Sequence, residues 1–155
     1  MARSFLHTQQ GFSFSPRKYE PPRTGLLNSL TFLTQLGVFS LKQNNFSDPI
    51  SVLLNLTNLK FLFLFHNEFS GDFPVSVVSL SKLYRLDLSY NNLSGIIHLS
   101  INHLTHLLTL RWEGNKFSGS ISGLRLLSLQ DFNVSGNALA ARDTSFAIGV
   151  SCVDI

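Results

Sequence analysis

Two stretches, LKFLFLFHNEF at 59–69 and LYRLDLSYNNL at 83–93, repeat one frame of apolar residues that ends in an asparagine. The frame, LxxLxLxxNxL with occasional Phe, Trp or Val, occurs five times, and its asparagines are 23, 24, 24 and 22 residues apart. Five such copies at a nearly fixed period indicate a repeat architecture. The asparagines are Asn44, Asn67, Asn91, Asn115 and Asn137.

The period and the alternation within each copy predict the fold class. Apolar and exposed positions alternate around LxL, which is the period of a short β-strand. A unit of this length cannot bury its apolar face alone, whereas stacked units share one continuous core. We therefore expect a right-handed α/β-type solenoid of about five coils over residues 29–140. It should carry short parallel strands on its concave side and mostly irregular chain or short helical turns on its convex side, as at 75–80 and 99–104.

The recurring asparagine has a structural interpretation. Its amide offers two donors and one acceptor, so a buried column of asparagines can satisfy the loop backbone of its own coil and of the next. We expect Asn44, Asn67, Asn91, Asn115 and Asn137 to form such a ladder, and we assign it no binding role.

Charge and composition exclude several functional classes. The net charge of +3 arises within residues 1–28, which we expect to be a flexible basic segment, and the remaining 127 residues are neutral. A neutral repeat region does not support binding to nucleic acid. Cys152 is the only cysteine, so no disulfide can form within the chain. No motif for a catalytic, cofactor or metal site occurs, and His98, His103 and His106 lack the spacing of metal ligands.

The repeats resemble the plant-type leucine-rich repeat, LxxLxxLxLxxNxLxGxIPxx, over about residues 30–140. LTNLKFLFLFHNEFSGDFP, LYRLDLSYNNLSG, LTHLLTLRWEGNKFSGSI and LSLQDFNVSGN are similar to the ectodomains of plant receptor-like kinases, especially those with few repeats and a kinase domain described as inactive. The resemblance implies a non-catalytic module, extracellular at the plasma membrane, that recognises a peptide ligand or a partner receptor.

The chain also departs from that pattern. It lacks a clear secretion signal, a cysteine-paired cap, a membrane span and kinase motifs, so any link to a membrane would depend on a missing transmembrane segment. Asp48 replaces a turn glycine, and residues 141–155 fit no further coil, so we expect an irregular tail there. These departures suggest a truncated or partly mis-spliced relative. Two alternatives to the receptor module follow: a soluble leucine-rich-repeat inhibitor or scaffold, and a fragment of little independent function whose uncapped ends favour self-association.

One strand has an unusual outward face. Its three outward residues are phenylalanines, whereas the other strands place mainly polar residues there. Exposed aromatic residues beside arginines have the composition of a binding hot spot. The candidate partner-binding residues are Phe61, Phe63, Phe65, Tyr90, Arg85 and Arg111. The alternative is that the phenylalanines stack along the sheet or promote aggregation. Among the charged neighbours, we expect Asp87 to pair with Arg85 and Glu113 with Arg111.

Four N-x-S/T sequons occur, at Asn45, Asn55, Asn92 and Asn133. The repeat consensus itself generates N-x-S, which weakens the sequons as a signal. In a secreted chain, Asn45, Asn55 and Asn92 would lie on turns or on the outer side. A glycan on Asn133 would shift binding toward the first four coils.

Overall fold

The structure, a computed structural model, describes residues 11–13 and 32–140, and within them the chain forms two parallel β-sheets. The first sheet has the strand order β1–β2–β3–β5–β7–β9, and the second has the order β4–β6–β8–β10. The strands of the first sheet are β1 (Gly11–Ser13), β2 (Val38–Ser40), β3 (Phe61–Phe63), β5 (Arg85–Asp87), β7 (Thr109–Arg111) and β9 (Asp131–Asn133). Those of the second are β4 (Ser70–Asp72), β6 (Asn92–Ile96), β8 (Lys116–Ser120) and β10 (Ala138–Ala140).

Short 3₁₀ helices precede β3, β5 and β7 of the first sheet. They are η1 (Ile50–Asn55), η2 (Val75–Ser79) and η3 (Leu99–His103). The helical turns predicted at 75–80 and 99–104 are thus present, and η1 is an additional one. Each repeat is one turn of a solenoid, as the sequence period predicts. Within the described residues, no helix is long and apolar enough to cross a bilayer.

The parallel register aligns the repeats residue by residue. The central residues of neighbouring strands lie level with one another and are buried in the core: Phe39, Leu62, Leu86, Leu110 and Phe132. Two residues further along, Leu64, Leu88 and Trp112 point the same way and are also buried. Burying a side chain of this size stabilises the fold by about 1.5–3 kcal/mol. The core is therefore one continuous column through all the described coils.

A second column of buried aromatic rings lies below the turns. Phe46 and Phe69 stack at a centroid distance of 6.5 Å, and Phe117 packs against Trp112 at 5.7 Å. Phe73 contacts Trp112 and Phe117 edge to face at 5.4 and 6.0 Å. Phe46, Phe69 and Phe117 lie two residues after an asparagine of the repeat, and Phe73 packs beside Phe117. These rings anchor the irregular part of their coils to the core.

The second sheet is a feature that the sequence reasoning did not predict, because it expected mostly irregular chain there. Gly71, Gly95 and Gly119 have φ angles of 89°, 80° and 79°, which favour glycine. The equivalent residue of the first described coil is Asp48, which does not have a positive φ. Within the described residues, the second sheet correspondingly begins one coil later, at β4.

The first sheet extends into the segment that the sequence predicted to be flexible. Strand β1 pairs with β2 in parallel, with Phe12 level with Phe39. Residues 11–13 therefore lie beside the first coil, and the flexibility expected of residues 1–28 stays a prediction. The other residues of that segment, the predicted irregular tail at 141–155 and Cys152 lie outside the described residues.

Candidate ligand-binding face

The outward side chains of the first sheet form a continuous surface, which we call the sheet face. It consists of three level columns in successive coils, because the register repeats without a shift. The columns are Val38, Phe61, Arg85, Thr109 and Asp131; Ser40, Phe63, Asp87, Arg111 and Asn133; and Lys42, Phe65, Ser89, Glu113 and Ser135. One part of this face is aromatic and the other is charged and polar.

The aromatic part follows β3 and the residues after it, and includes two tyrosines of the next coil. Phe61 and Phe63 are half-buried and stack at 6.5 Å with an interplanar angle of 13°. Tyr84 stacks on Phe61 at 6.3 Å, and Phe65 meets His66 edge to face at 5.9 Å. His66 in turn stacks on Tyr90 at 4.5 Å with an interplanar angle of 1°. We call Phe61, Phe63, Phe65, His66, Tyr84 and Tyr90 the aromatic band.

A backbone feature positions the end of this band. The residue before each ladder asparagine has a left-handed φ in all five coils: Gln43 (57°), His66 (55°), Tyr90 (52°), Gly114 (66°) and Gly136 (66°). Glycine adopts this conformation without strain, whereas the other three residues do not. A Cβ on Gly114 would lie 2.7 Å from Cδ1 of Tyr90. The Tyr90 ring therefore lies between His66 and Gly114, and its side chain remains 50% exposed.

The charged part of the face is organised by a few hydrogen bonds. Nε of Arg111 donates to Oδ2 of Asp131 at 2.9 Å, and Nη2 lies 2.9 Å from the same oxygen. This bond raises the pKa of Arg111. The backbone N–H and the hydroxyl of Ser89 donate to Oδ1 of Asp87 at 3.1 and 2.6 Å. Arg85 is exposed.

Glu113 differs from the other charged residues of the sheet face because it is only 8% exposed. Its Oε2 has no hydrogen-bond partner in the described part of the chain. Burial raises the pKa of the Glu113 carboxyl, and a hydrogen bond with its own backbone lowers it. Asp87 and Asp131 raise this pKa further, whereas Arg111 lowers it. The predicted pairing of Glu113 with Arg111 is wrong, since Arg111 binds Asp131.

The structure brings together part of the predicted partner-binding set. Phe61 and Phe63 stack on one another, and Tyr90 is linked to Phe65 through His66. Stacking between Phe61 and Phe63, which was the alternative interpretation, is also present. Tyr84 and His66 were not among the predicted partner-binding residues. Tyr84 lies just before the LxL strand, where the alternation that assigns outward positions does not apply. His66, at the position equivalent to Tyr90, was expected to face outward but was given no binding role.

The five repeated asparagines form a ladder through the turns. Asn67, Asn91, Asn115 and Asn137 each donate to carbonyls of their own coil and of the preceding one, at 2.8–3.4 Å. Each of these four also accepts the backbone N–H of the residue two places after the previous asparagine, for example Phe69 to Asn91 at 3.1 Å. Asn44 donates to Leu41 and Lys42. The ladder links successive coils beside the sheet face.

The sequon asparagines occupy different surroundings. Asn45, Asn55 and Asn92 are exposed, on a turn, at the end of η1 and at the start of β6 respectively. Asn45 donates to Glu68 at 3.2 Å. Asn133 is half-buried on the sheet face, and its Oδ1 accepts from the N–H and hydroxyl of Ser135 at 3.0 and 2.9 Å. Glycosylation of any of them stays a prediction.

The three neighbouring histidines have local contacts. His98 accepts from the N–H of Ser100 at 3.1 Å and caps η3. Nδ1 of His103 lies 2.9 Å from the carbonyl of Ser100. His106 meets Tyr84 edge to face at 6.0 Å. Across residues 11–13 and 32–140, no three His, Cys, Asp or Glu side chains are grouped so as to hold a metal ion.

Comparison with known proteins identifies the repeat and its relatives. The leucine-rich-repeat family model matches residues 82–104. Over 59 residues, 37% of this chain, the sequence is 51% identical to an inactive leucine-rich-repeat receptor-like serine/threonine-protein kinase of Arabidopsis thaliana. The chain spans 9% of the length of that relative.

Solved structures give the same picture at the level of the fold. One similar structure is the ectodomain of the plant membrane receptor kinase GASSHO1/SCHENGEN3 from Arabidopsis thaliana, in complex with Casparian strip integrity factor 2. The identity is 34% and the TM-score 0.71, covering 80% of this chain and 16% of that one. Another is the ectodomain of the receptor kinase SOBIR1 from the same plant, with 34% identity, a TM-score of 0.65 and coverage of 71% and 61%.

Proposed function

We propose that this leucine-rich-repeat solenoid, which resembles the ectodomains of plant receptor kinases, is a non-catalytic module that binds a peptide or a partner protein on its sheet face. The observation that carries the proposal is the aromatic band. Six aromatic side chains lie on one face of the sheet in two groups of three contacting rings, and most other outward residues of that face are polar. Aromatic groups of this kind contribute much of the binding free energy at protein interfaces.

The shape of the fold supports the same face. Solenoids generally bind partners along the extended surface formed by their strands, which we expect to be concave here. The side chains of the band are already stacked in the unbound chain, so binding would require little further ordering of Phe61, Phe63, His66 or Tyr90. The GASSHO1/SCHENGEN3 ectodomain, which was solved in complex with Casparian strip integrity factor 2, supports a partner-binding role.

The resemblance also supports a location for the module. Because the relatives are membrane receptor kinases, we propose that the repeat region works outside the cell at the plasma membrane. In that setting Asn45, Asn55 and Asn92 are exposed acceptors for glycans.

The first prediction is that the band is required for capture of peptides. The full chain is immobilised and exposed to a displayed library of random 12-residue peptides, and enriched peptides are sequenced. We expect the double variant Phe63→Ser/Phe65→Ser to lose the peptides that the parent chain enriches, because it removes two half-buried rings from the centre of the band. Circular dichroism and thermal melting establish that the variant is folded.

The matched control replaces exposed apolar residues elsewhere. Ile96 is 66% exposed on the second sheet, and Leu99 is exposed at the start of η3. Ile96→Ser/Leu99→Ser should leave enrichment unchanged. If the Phe63→Ser/Phe65→Ser variant enriches the same peptides as the parent, the band is not the binding surface.

A further inference from the structure

The sheet face contains a buried carboxylate whose chemistry is incomplete. Glu113 is more than nine-tenths buried, and its Oε2 has no hydrogen-bond partner among the described residues. Leaving a buried polar atom without a partner costs about 1–3 kcal/mol, and more for a charged group. Nearly all buried polar groups in folded proteins have a partner, so this atom requires an explanation.

The nearby donors are already engaged. Nε of Arg111, the nearest cation along the strand, donates to Asp131. The hydroxyls of Ser89 and Ser135, which flank Glu113 in its column, donate to Asp87 and Asn133 at 2.6 and 2.9 Å. A hydroxyl has a single proton to donate, so neither serine supplies one to Glu113.

The charges around Glu113 favour a cation. Asp87 and Asp131 are close enough to act on the carboxyl of Glu113, and Arg111 is the one cation that acts on it. Oε2 is covered by the protein itself, so a bound cation reaches it only when the Glu113 side chain turns outward past the short serines of its column. Glu113 is therefore a negatively charged hydrogen-bond acceptor on the face that we propose binds a polypeptide.

We infer that Glu113, with Asp87 and Asp131 beside it, is a subsite for the basic side chain of a polypeptide bound on the sheet face. The inference rests on the proposed function, since it names the chemistry of that partner. An ammonium or guanidinium group would donate to Oε2 and supply the opposite charge, which makes the hydrogen bond charge-assisted. Lysine and arginine are the two side chains with these properties at neutral pH.

The spacing on the sheet face defines the ligand further. Phe65 and Glu113 occupy the same column, two strands apart. Neighbouring strands are separated by about 4.8 Å, so the two side chains begin roughly 10 Å apart. An extended peptide covers this distance in about three residues. The ligand should therefore carry an apolar residue for the band and a basic residue about three positions away.

The second prediction tests the subsite with small probes on the full chain. Glutamate is labelled with ¹³C, and Glu113 is assigned by the signal that disappears in Glu113→Gln. The probes are N-acetyl-arginine methylamide and N-acetyl-lysine methylamide, with the neutral N-acetyl-citrulline methylamide for comparison. We expect saturable shifts of the Glu113 carboxyl signal and a lower pKa of that group with the two cations, and neither effect with citrulline.

Variants separate the subsite from general binding. Glu113→Gln keeps the shape and removes the charge, so it should fold and bind the arginine probe about tenfold more weakly. Glu68→Gln alters an exposed glutamate away from the sheet face and should bind the probe as the parent does. An equal response to citrulline, or a Glu113 signal that no cation moves, would overturn the inference.

The two proposals can fail independently. Phe63→Ser/Phe65→Ser should retain the response of Glu113 to the arginine probe while losing peptide capture. If the Phe63→Ser/Phe65→Ser variant still captures peptides and Glu113 still responds normally to the arginine probe, the proposed role of the band fails and the subsite stands. If capture depends on the band but Glu113 ignores cations, the subsite fails and the proposed function stands.

Discussion

At the scale of the residue, each ladder asparagine forms a set of backbone hydrogen bonds that no other side chain could form as well. Asn91 donates to the carbonyls of Leu64, Leu88 and Ser89 and accepts the N–H of Phe69. Aspartate could not donate, and glutamine is longer by one methylene. The amide thus satisfies backbone groups of two coils at once, in a place where the chain leaves the strand and has no sheet partner.

The third prediction concerns this residue. Asn91→Ala removes four hydrogen bonds and leaves the N–H of Phe69 without its partner, whereas the carbonyls of Leu64, Leu88 and Ser89 each keep another donor. We expect the free energy of unfolding to fall by about 2–4 kcal/mol. Among the described residues, Asn44 donates only within its own coil, to Leu41 and Lys42. Asn44→Ala should therefore cost about 1 kcal/mol. Urea unfolding measures both, and equal losses would show that the links between coils contribute nothing.

The ladder and the inward leucines could be predicted from the sequence because both follow from spacing alone. The left-handed column beside the ladder could not. Glycine marks it at Gly114 and Gly136, but Gln43, His66 and Tyr90 adopt the same conformation without any local signal. Likewise, the pattern placed Glu113 and Arg111 two residues apart on one face. It could not reveal that Arg111 would bind Asp131 of the next strand instead.

At the scale of the element, three of the four strands of the second sheet contain a glycine with a positive φ. The sequence shows the recurring Ser-Gly, but a turn and a short strand are equally compatible with it, so the sheet was not predicted. Gly71, Gly95 and Gly119 adopt similar positive φ angles in β4, β6 and β8, whereas β10 pairs with β8 without a glycine. The hydroxyl of Ser94 also donates to Oδ1 of Asp72 at 3.1 Å, which links β6 to β4.

The fourth prediction separates backbone strain from crowding in this sheet. A Cβ on Gly71 would meet nothing within 4 Å, whereas one on Gly95 would lie 2.7 Å from Oδ1 and 2.9 Å from Cγ of Asp72. Gly71→Ala should thus cost about 1–2 kcal/mol, from the left-handed conformation alone. Gly95→Ala should cost about 1 kcal/mol more, because Asp72 must move and its bond to Ser94 is lost. Thermal melting of the two variants gives the difference, and a smaller loss for Gly95→Ala would contradict the argument.

At the scale of the whole molecule, each coil packs on the coil before it and the coil after it. In such a solenoid the stability is approximately a sum of coil and interface contributions, so the terminal coils depend on a single neighbour. The sequence predicted an uncovered first coil. The structure instead places β1 beside β2, so within the described residues β1, and not β2, is the edge strand of the first sheet.

The fifth prediction tests whether β1 protects the first coil. Along each strand of the first sheet, N–H groups alternate in direction: Phe61 donates to Gly37 of the preceding coil, whereas Leu41 donates to Phe63 of the following one, at 3.0 and 2.9 Å. By this alternation the N–H of Ser40 faces β1, and the N–H of Phe12 faces β2. Phe12→Pro removes that donor and should lower the free energy of unfolding by about 1 kcal/mol.

Hydrogen exchange read at single amides makes this prediction specific. In Phe12→Pro the amide of Ser40 should exchange faster, while Leu41, whose N–H is bonded to Phe63 in the next coil, should keep its protection. Phe12→Ala retains the N–H, so it separates the backbone bond from any effect of the side chain. Because a solenoid transmits such damage only between neighbours, the amides of β7 and β9 should be unaffected. If Ser40 exchanges at the same rate with and without the proline, β1 does not pair with the first coil in solution, and the coil beginning at Leu36 is the true end of the sheet.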